Sequence, residues 1–137
     1  MPALQPTSQQ LKSFIDEAYD GPIVMVNLLK FRAVAAYQEG DPEYGEEISG
    51  AEAYARYAAG VAELSADPNI GITFVYLGAA QRFLIGEGDW DQVALARYPS
   101  RKHMAQMMAD PRYQAAHRHR VAGLLHQDLI ETHASLG

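Results

Sequence analysis

His117, Arg118, His119 and Arg120 are four consecutive side chains able to bind anions or move protons, and Tyr113 precedes them by one helical turn. Imidazole titrates near neutrality, so either histidine suits general acid–base work. Arginine offers a planar fork of donors to a carboxylate or an oxyanion. On a helix, Tyr113, His117, Val121 and Leu125 share one face, while Ala116, Arg120 and Gly123 share another. His119 falls with Ala115 and Ala122. Periodicity therefore makes His117 the half-buried histidine. The competing reading is a solvated basic turn, since cations are favoured near a helix C-terminus.

Other polar clusters carry less chemistry. His117 and His119 stand two apart on a helix and point away from each other, whereas helical metal pairs need a spacing of three or four. His126 and Asp128 share a strand face, and such pairs are usually structural. No metal site is expected. Glu87, Asp89 and Asp91 surround Trp90, but a reversing loop collects acidic residues for turn geometry and solubility. Asn27 is the one polar residue before the strand end on a face shared with Met25, Leu29 and Phe31. A buried amide there must find partners, as a structural bridge or as a polar group of a pocket. The chain has no Gly-x-Ser-x-Gly elbow, phosphate loop or dinucleotide fingerprint.

The elements that must position these groups can be read in order. Thr7-Ser8-Gln9-Gln10 resembles a capping box and opens a helix with Leu11, Phe14, Ile15 and Ala18 on one stripe. Asp20-Gly21-Pro22 ends it, and Ile23 to Arg32 is a first strand. Residues 33–48 have no clean period and read as a long surface loop, of a length that is often functional or mobile. Ser49 to Glu52 is a second capping box, opening a helix to about Ser65 with Tyr54, Tyr57, Val61 and Leu64 along one side. Ile72 to Ile85 reads as one long strand, bent near Gly78, whose Phe83-Leu84-Ile85 pairs forward through the acidic turn. Gln92 to Tyr98 is a strand apolar at both parities, closed by Pro99. Ser100 caps a helix carrying Met104, Met107 and Met108, and Asp110-Pro111 interrupts and restarts it. Leu124 to Thr132 is the fourth strand.

Composition narrows the class. A chain of 137 residues fits a single domain over 1–137, burying roughly 70% of its unfolded surface. Cysteine is absent, which excludes disulfides and thiolate chemistry. A net charge of −6 with no basic face argues against nucleic-acid partners. No long apolar run and no leader-like start are present, so a cytoplasmic protein with no membrane partner is expected.

The sum is an α+β chain, a helical extension over 1–21 followed by β-α-β-β-α-β, the ferredoxin-like order with an antiparallel four-stranded sheet. Strands apolar on both faces need a second cover, and another copy of the chain supplies it. The segments VMVNLLKFR (Val24 to Arg32), SGAEAYARY (Ser49 to Tyr57), IGEGDWDQVALARYPSR (Ile85 to Arg101) and DPRYQAAHRHRVAGL (Asp110 to Leu124) resemble the thirteen-thirty family of domains of unknown function. The resemblance implies a dimeric α+β barrel with a cleft between sheet and helices in each subunit. Relatives by that fold include cofactor-free monooxygenases, lactone isomerases and small-molecule-binding domains, so fold assigns no activity. Onto the family pattern fall Asn27, Phe31, Tyr54, Tyr57, Trp90, Tyr98, Pro99, Tyr113, His119 and Arg120, while His126 stands where an acidic residue is expected. The resemblance thus favours His119, with Arg120, where periodicity favours His117.

The candidate set is His119 and His117 for proton transfer, and Asn27, Tyr54, Trp90, Arg97 and Arg120 for ligand binding. It suits a homodimer that binds a small carbonyl- or carboxylate-bearing compound and acts on it without a cofactor. The alternative is a non-catalytic binding or assembly module whose polar residues satisfy the dimer interface.

Overall fold

The computed structural model describes residues 3–135. The helix starts lie where the local signals put them, although of the two capping boxes read only the first forms both its bonds; at Ser49 no return bond from the Glu52 side chain is made. Thr7 and Gln10 exchange both bonds of a capping box and start α1, Ser8–Asp16. Ser49 accepts from the Glu52 amide and starts α2, Gly50–Leu64. Ser100 caps α3, Arg101–Ala109, and Asp110 caps α4, Pro111–Gly123, with Pro111 in the first turn. Each cap satisfies an amide that the helix itself leaves unpaired.

The strands are β1 (Ile23–Phe31), β2 (Thr73–Ala79), β3 (Gln92–Tyr98) and β4 (Leu124–Thr132). They form one antiparallel sheet in the order β2-β3-β1-β4. This is the ferredoxin-like arrangement, with the N-terminal α1 added. Register places Ile23 opposite Tyr98, Met25 opposite Ala96, Asn27 opposite Ala94 and Leu29 opposite Gln127. That face is covered by the helices. Its largest buried cluster joins Ile23, Met25 and Tyr98 to Val61 and Leu64 of α2 and to Met104 and Met107 of α3. A smaller cluster gathers Leu29, Tyr54 and Leu124.

The other face carries Val24, Val26 and Leu28 of β1, Val93 and Leu95 of β3, and Tyr76 and Ile130 of the edge strands. Tyr76 is 57% exposed and Ile130 45%. Among the described residues nothing in the chain covers this apolar face, and no helix is long and apolar enough to cross a membrane.

The long strand expected over Ile72 to Ile85 is shorter. β2 stops at Ala79, its register shift lies between Phe74 and Tyr76, and Leu84 and Ile85 are each 91% exposed. The cause is Asp91. Its amide donates to Leu29 O at 2.8 Å, and its carboxylate accepts from the Phe31 amide at 2.8 Å and from Lys30 Nζ at 3.3 Å. The chain entering β3 is thereby fastened to the end of β1, so residues 83–85 have no strand to meet. Lys30 also pairs with Asp89 at 3.4 Å, which gives the acidic turn a structural use.

α4 runs into β4 with no intervening loop, and the junction is crowded. A Cβ on Gly50 would lie 2.3 Å from Arg32 O and 2.5 Å from Gly123 O. A Cβ on Gly123 would lie 2.5 Å from Gly50 O. Both glycines are required by close backbone approach. Gly50→Ala should lower unfolding free energy by about 3 kcal/mol or more, because backbone atoms must move to admit the methyl group. Urea unfolding followed by circular dichroism measures this, and a loss below about 0.5 kcal/mol would mean that the junction yields freely.

Candidate functional site

Between the inner face of the sheet and the helices lies a cleft of about 530 Å³. Met25 and Asn27 of β1 and Tyr98 of β3 form its floor, and Gln127 and Leu129 of β4 line one side. Tyr57 of α2 and Tyr113, His117 and Arg120 of α4 supply its polar wall. Met104, Met107 and Met108 of α3 face them, with Leu11 and Phe14 of α1. The segment from Ala3 to Pro6 crosses the mouth.

One hydrogen-bonded chain ties the mouth to the floor. Arg120 Nη2 donates to Leu4 O at 2.7 Å and to Gln127 Oε1 at 2.6 Å. Gln127 Nε2 donates to Asn27 Oδ1 at 2.8 Å. Asn27 Nδ2 reaches Met25 O and Ala94 O, each at 3.3 Å. The Gln127 backbone N–H also donates to Ala3 O at 2.7 Å. The amide of Asn27 is thus a bridge within the sheet and part of the cleft wall at once. Such a network is costly to cut, since each buried polar group left unpaired costs about 1–3 kcal/mol.

The tyrosines form a connected aromatic wall. The Tyr57 and Tyr113 hydroxyls lie 3.1 Å apart, with their rings edge to face. Burial pushes the Tyr57 and Tyr98 phenols above their ordinary range, and Tyr54 up to about 12. Near neutral pH these hydroxyls therefore remain protonated donors. His117, half-buried with its ring 6.0 Å from that of Tyr113, has a lowered pKa, first from burial and then from the nearby Arg120 charge. Its neutral form is favoured, as a proton acceptor requires.

The structure brings together Asn27, His117 and Arg120 of the candidate residues. The others stand elsewhere. His119 points to the loop over 33–48, where its Nδ1 meets the buried Tyr37 hydroxyl at 2.6 Å. Beside it, Arg118 clamps Glu43 with bonds of 2.7 and 2.8 Å, holding that carboxyl down to about 2. These contacts, with Ala36 N bonded to Ala122 O, fasten the loop against α4. Tyr54 is buried against Leu29 and Leu124. Trp90 is half-buried, edge-on to His126 with ring centres 5.0 Å apart. Arg97 is exposed on the outer face, opposite Val24 and Thr73. None of these four lines the cleft.

Several lining residues were not singled out as candidates. Gln127 had a readable signal, a glutamine sharing its strand parity with Leu125 and Leu129. The methionines of α3 share one helical stripe, and Met104 and Met107 are buried, yet they also face the cleft. Nothing in the first residues marks them as a strap. Among the described residues no group of three His, Asp or Glu side chains is placed to hold a metal ion.

Residues 44–130 match the family model of a domain of unknown function, DUF1330. The chain belongs to this family. The DUF1330 chain is 34% identical to RPA0582, a protein of unknown function from Rhodopseudomonas palustris, over 96% of both chains, with a TM-score of 0.82. Methylated RPA0582 gives 36% identity over 96% of this chain and 95% of that one, with a TM-score of 0.83. A candidate antibiotic biosynthesis monooxygenase from Bacteroides thetaiotaomicron is 16% identical over 85% of this chain and 91% of its own, with a TM-score of 0.56. A dimeric protein of unknown function and ferredoxin-like fold from Bacteroides fragilis is 12% identical over 83% and 98%, with a TM-score of 0.53. These last two show a shared fold. No curated protein matches the DUF1330 chain in sequence.

The lowered His117 pKa has a testable sign. Its stabilising contribution is complete above the unfolded value of 6.5 and is lost as pH falls from there through the lower folded value. Imidazole NMR should show His117 titrating below 6.5, and Arg120→Met should move its midpoint upward by removing the neighbouring charge. A midpoint at or above 6.5 in the native chain would show that burial and Arg120 do not act on this ring.

Proposed function

We propose that this DUF1330 protein is a homodimer whose clefts each bind a small carbonyl- or carboxylate-bearing compound. His117 acts on that compound by proton transfer, with no cofactor required by the step. The observation that carries this reading is one cleft, mostly apolar in its lining, bordered by a half-buried histidine with a lowered pKa and an arginine. His117 would take a proton from the carbon next to a carbonyl, and the electron pair of that C–H bond would move toward the carbonyl oxygen as an enolate. Arg120 would stabilise the charge that develops there, in surroundings where water screens it weakly. The homologue from Rhodopseudomonas palustris adds no activity, and the monooxygenase-like neighbour supports only a fold able to hold such a cleft.

A second reading keeps the cleft but not the chemistry. It is favoured by the bonds Arg120 already makes to Leu4 O and Gln127, which a purely structural arginine would also make. The two readings separate in variants. Once a thermal-shift screen of small carboxylates and carbonyl compounds yields a ligand, Arg120→Lys should weaken its binding by about 1.5–3 kcal/mol, through loss of a charge-assisted bond. His117→Asn should leave binding within a few-fold while slowing turnover by about a hundredfold or more. Ligand binding with no turnover in the native chain would leave the binding module, and turnover unchanged in His117→Asn would remove His117 from the step.

The homodimer rests on the apolar outer face formed by Val24, Val26, Leu28, Val93 and Leu95, and on the dimeric neighbour of the same fold. A patch of this kind on a lone subunit marks an interface. Light scattering should give twice the chain mass at micromolar concentration, and Leu95→Asp should give the monomer. A native monomer that keeps its stability on dilution would remove the dimer from the proposal.

A further inference from the structure

The polar side chains that α4 gives the cleft are not scattered, although the lining also includes Gln5, Gln10, Asn27 and Gln127. Tyr113, His117 and Arg120 stand at i, i+4 and i+7 on α4, and the face that spacing gave to Tyr113 and His117 takes in Arg120 as well, so the three form a line about 10 Å long along the helix axis. The opposite wall is Met104, Met107, Met108, Leu11 and Phe14, which offer no strong hydrogen-bonding group. A ligand that fits both walls is polar along one edge and apolar over the rest.

The two ends of the line differ in charge. At one end, Arg120 uses Nη2 for Leu4 O and Gln127, and among the described residues Nε and Nη1 meet no acceptor. No carboxylate pairs with this guanidinium among the described residues. Asp128, the acidic residue at the rim, lies opposite Leu28, on the outer parity of the sheet. An anionic group is therefore the complement at this end. At the other end, the Tyr57 and Tyr113 hydroxyls share one proton between them at 3.1 Å, which leaves the second proton to donate outward. That end suits an uncharged oxygen.

Between the ends the lining is rings and sulfur. Tyr57, Tyr98, Tyr113, Phe14 and His117 present aromatic edges and faces, and the three α3 methionines oppose them. Sulfur against aromatic carbon is a favourable contact, and aromatic rings prefer to meet other rings edge-on or offset. A flexible acyl chain would fill the same space but would leave the hydroxyl pair without a partner.

Resting on the cleft reading above, we propose that the ligand is a planar aromatic acid of one or two rings. Its acid group lies at Arg120, and an oxygen substituent at the far end of the ring system lies at the Tyr57–Tyr113 pair. His117 faces the ring edge between these two anchors.

Calorimetric titration of the intact protein tests this with four probes. They are a hydroxynaphthoate with hydroxyl and carboxylate at opposite ends, the parent naphthoate, the matching hydroxynaphthamide and decanoate. The hydroxynaphthoate should bind tightest, with the naphthoate about tenfold weaker for want of one hydrogen bond. The amide and decanoate should each be weaker than the hydroxynaphthoate by at least tenfold. In the Tyr57→Phe/Tyr113→Phe variant the hydroxynaphthoate should fall to the level of the naphthoate, whose own affinity stays within a factor of about two. Decanoate binding as tightly as the hydroxynaphthoate, with both weakened by Arg120→Lys, would overturn the aromatic assignment and leave the cleft reading standing. Equal losses of both aromatic acids in the double phenylalanine variant would overturn the second anchor. Binding of none of the four, or binding that ignores Arg120→Lys, would overturn the proposal and the cleft reading together.

Discussion

The backbone contact between Gly50 and Gly123 sets the geometry on which the cleft depends. At this point the end of β1, the start of α2 and the passage from α4 to β4 meet with no side chain between them. Arg32 N bonds to Gly123 O at 2.8 Å and Gly50 N to Arg32 O at 3.0 Å, so the approach is closed by hydrogen bonds as well as by packing. A helix that enters a strand without a loop has almost no freedom in direction. Arg120 and Gln127, seven residues apart across that junction, are consequently aimed at each other. The 2.6 Å bond between them follows from how the backbone turns there, more than from any search by two long side chains.

That placement explains why a cation can sit in a cleft whose lining is mostly apolar. A guanidinium taken from water without partners is strongly disfavoured. Here Leu4 O and Gln127 Oε1 accept from one nitrogen, and the side chain keeps contact with solvent at the mouth. Gln127 in turn is satisfied by Asn27, and Asn27 by carbonyls of β1 and β3. The polarity of the site is therefore built into the hydrogen bonding of the sheet itself. The strap over residues 3–6 belongs to the same network, which connects the covering of the mouth to the charge within it.

Much of this was legible from local signals, and what was not is non-local. Caps at Thr7, Ser49, Ser100 and Asp110 act over two or three residues, so type and spacing alone identify them. Strand parity placed Met25, Asn27 and Leu29 on one face because the period of two admits no other sharing. The end of β2 was illegible because it is decided by Asp91, whose partners lie sixty residues away at Lys30 and Phe31. The bond from Gln127 to Asn27 spans 100 residues and depends on register, which no window of sequence contains. Phe83-Leu84-Ile85 looked like a strand by composition, yet a β-prone run without a neighbour stays a loop.

The two histidines show how one turn of helix divides two tasks. Helical spacing sets His117 beside Tyr113, and in the structure that face borders the cleft. The family resemblance pointed to His119, which the same rotation turns toward Tyr37 and the clamped Glu43. Both rings are partly buried and both have lowered pKa values, from burial first and a neighbouring arginine second. Their partners differ. His119 has an ordered hydroxyl at 2.6 Å and an ion pair beside it, so its nitrogen is committed to holding the loop over 33–48 against α4. His117 has aromatic carbon and an arginine for neighbours and borders a space of molecular size. A histidine whose partner is fixed gains little from exchanging its proton with a ligand, whereas one that faces a cleft can do so without breaking the fold. The position of α4 on the sheet, set by the glycine contact at its end, thus decides which of two histidines two residues apart is available for chemistry.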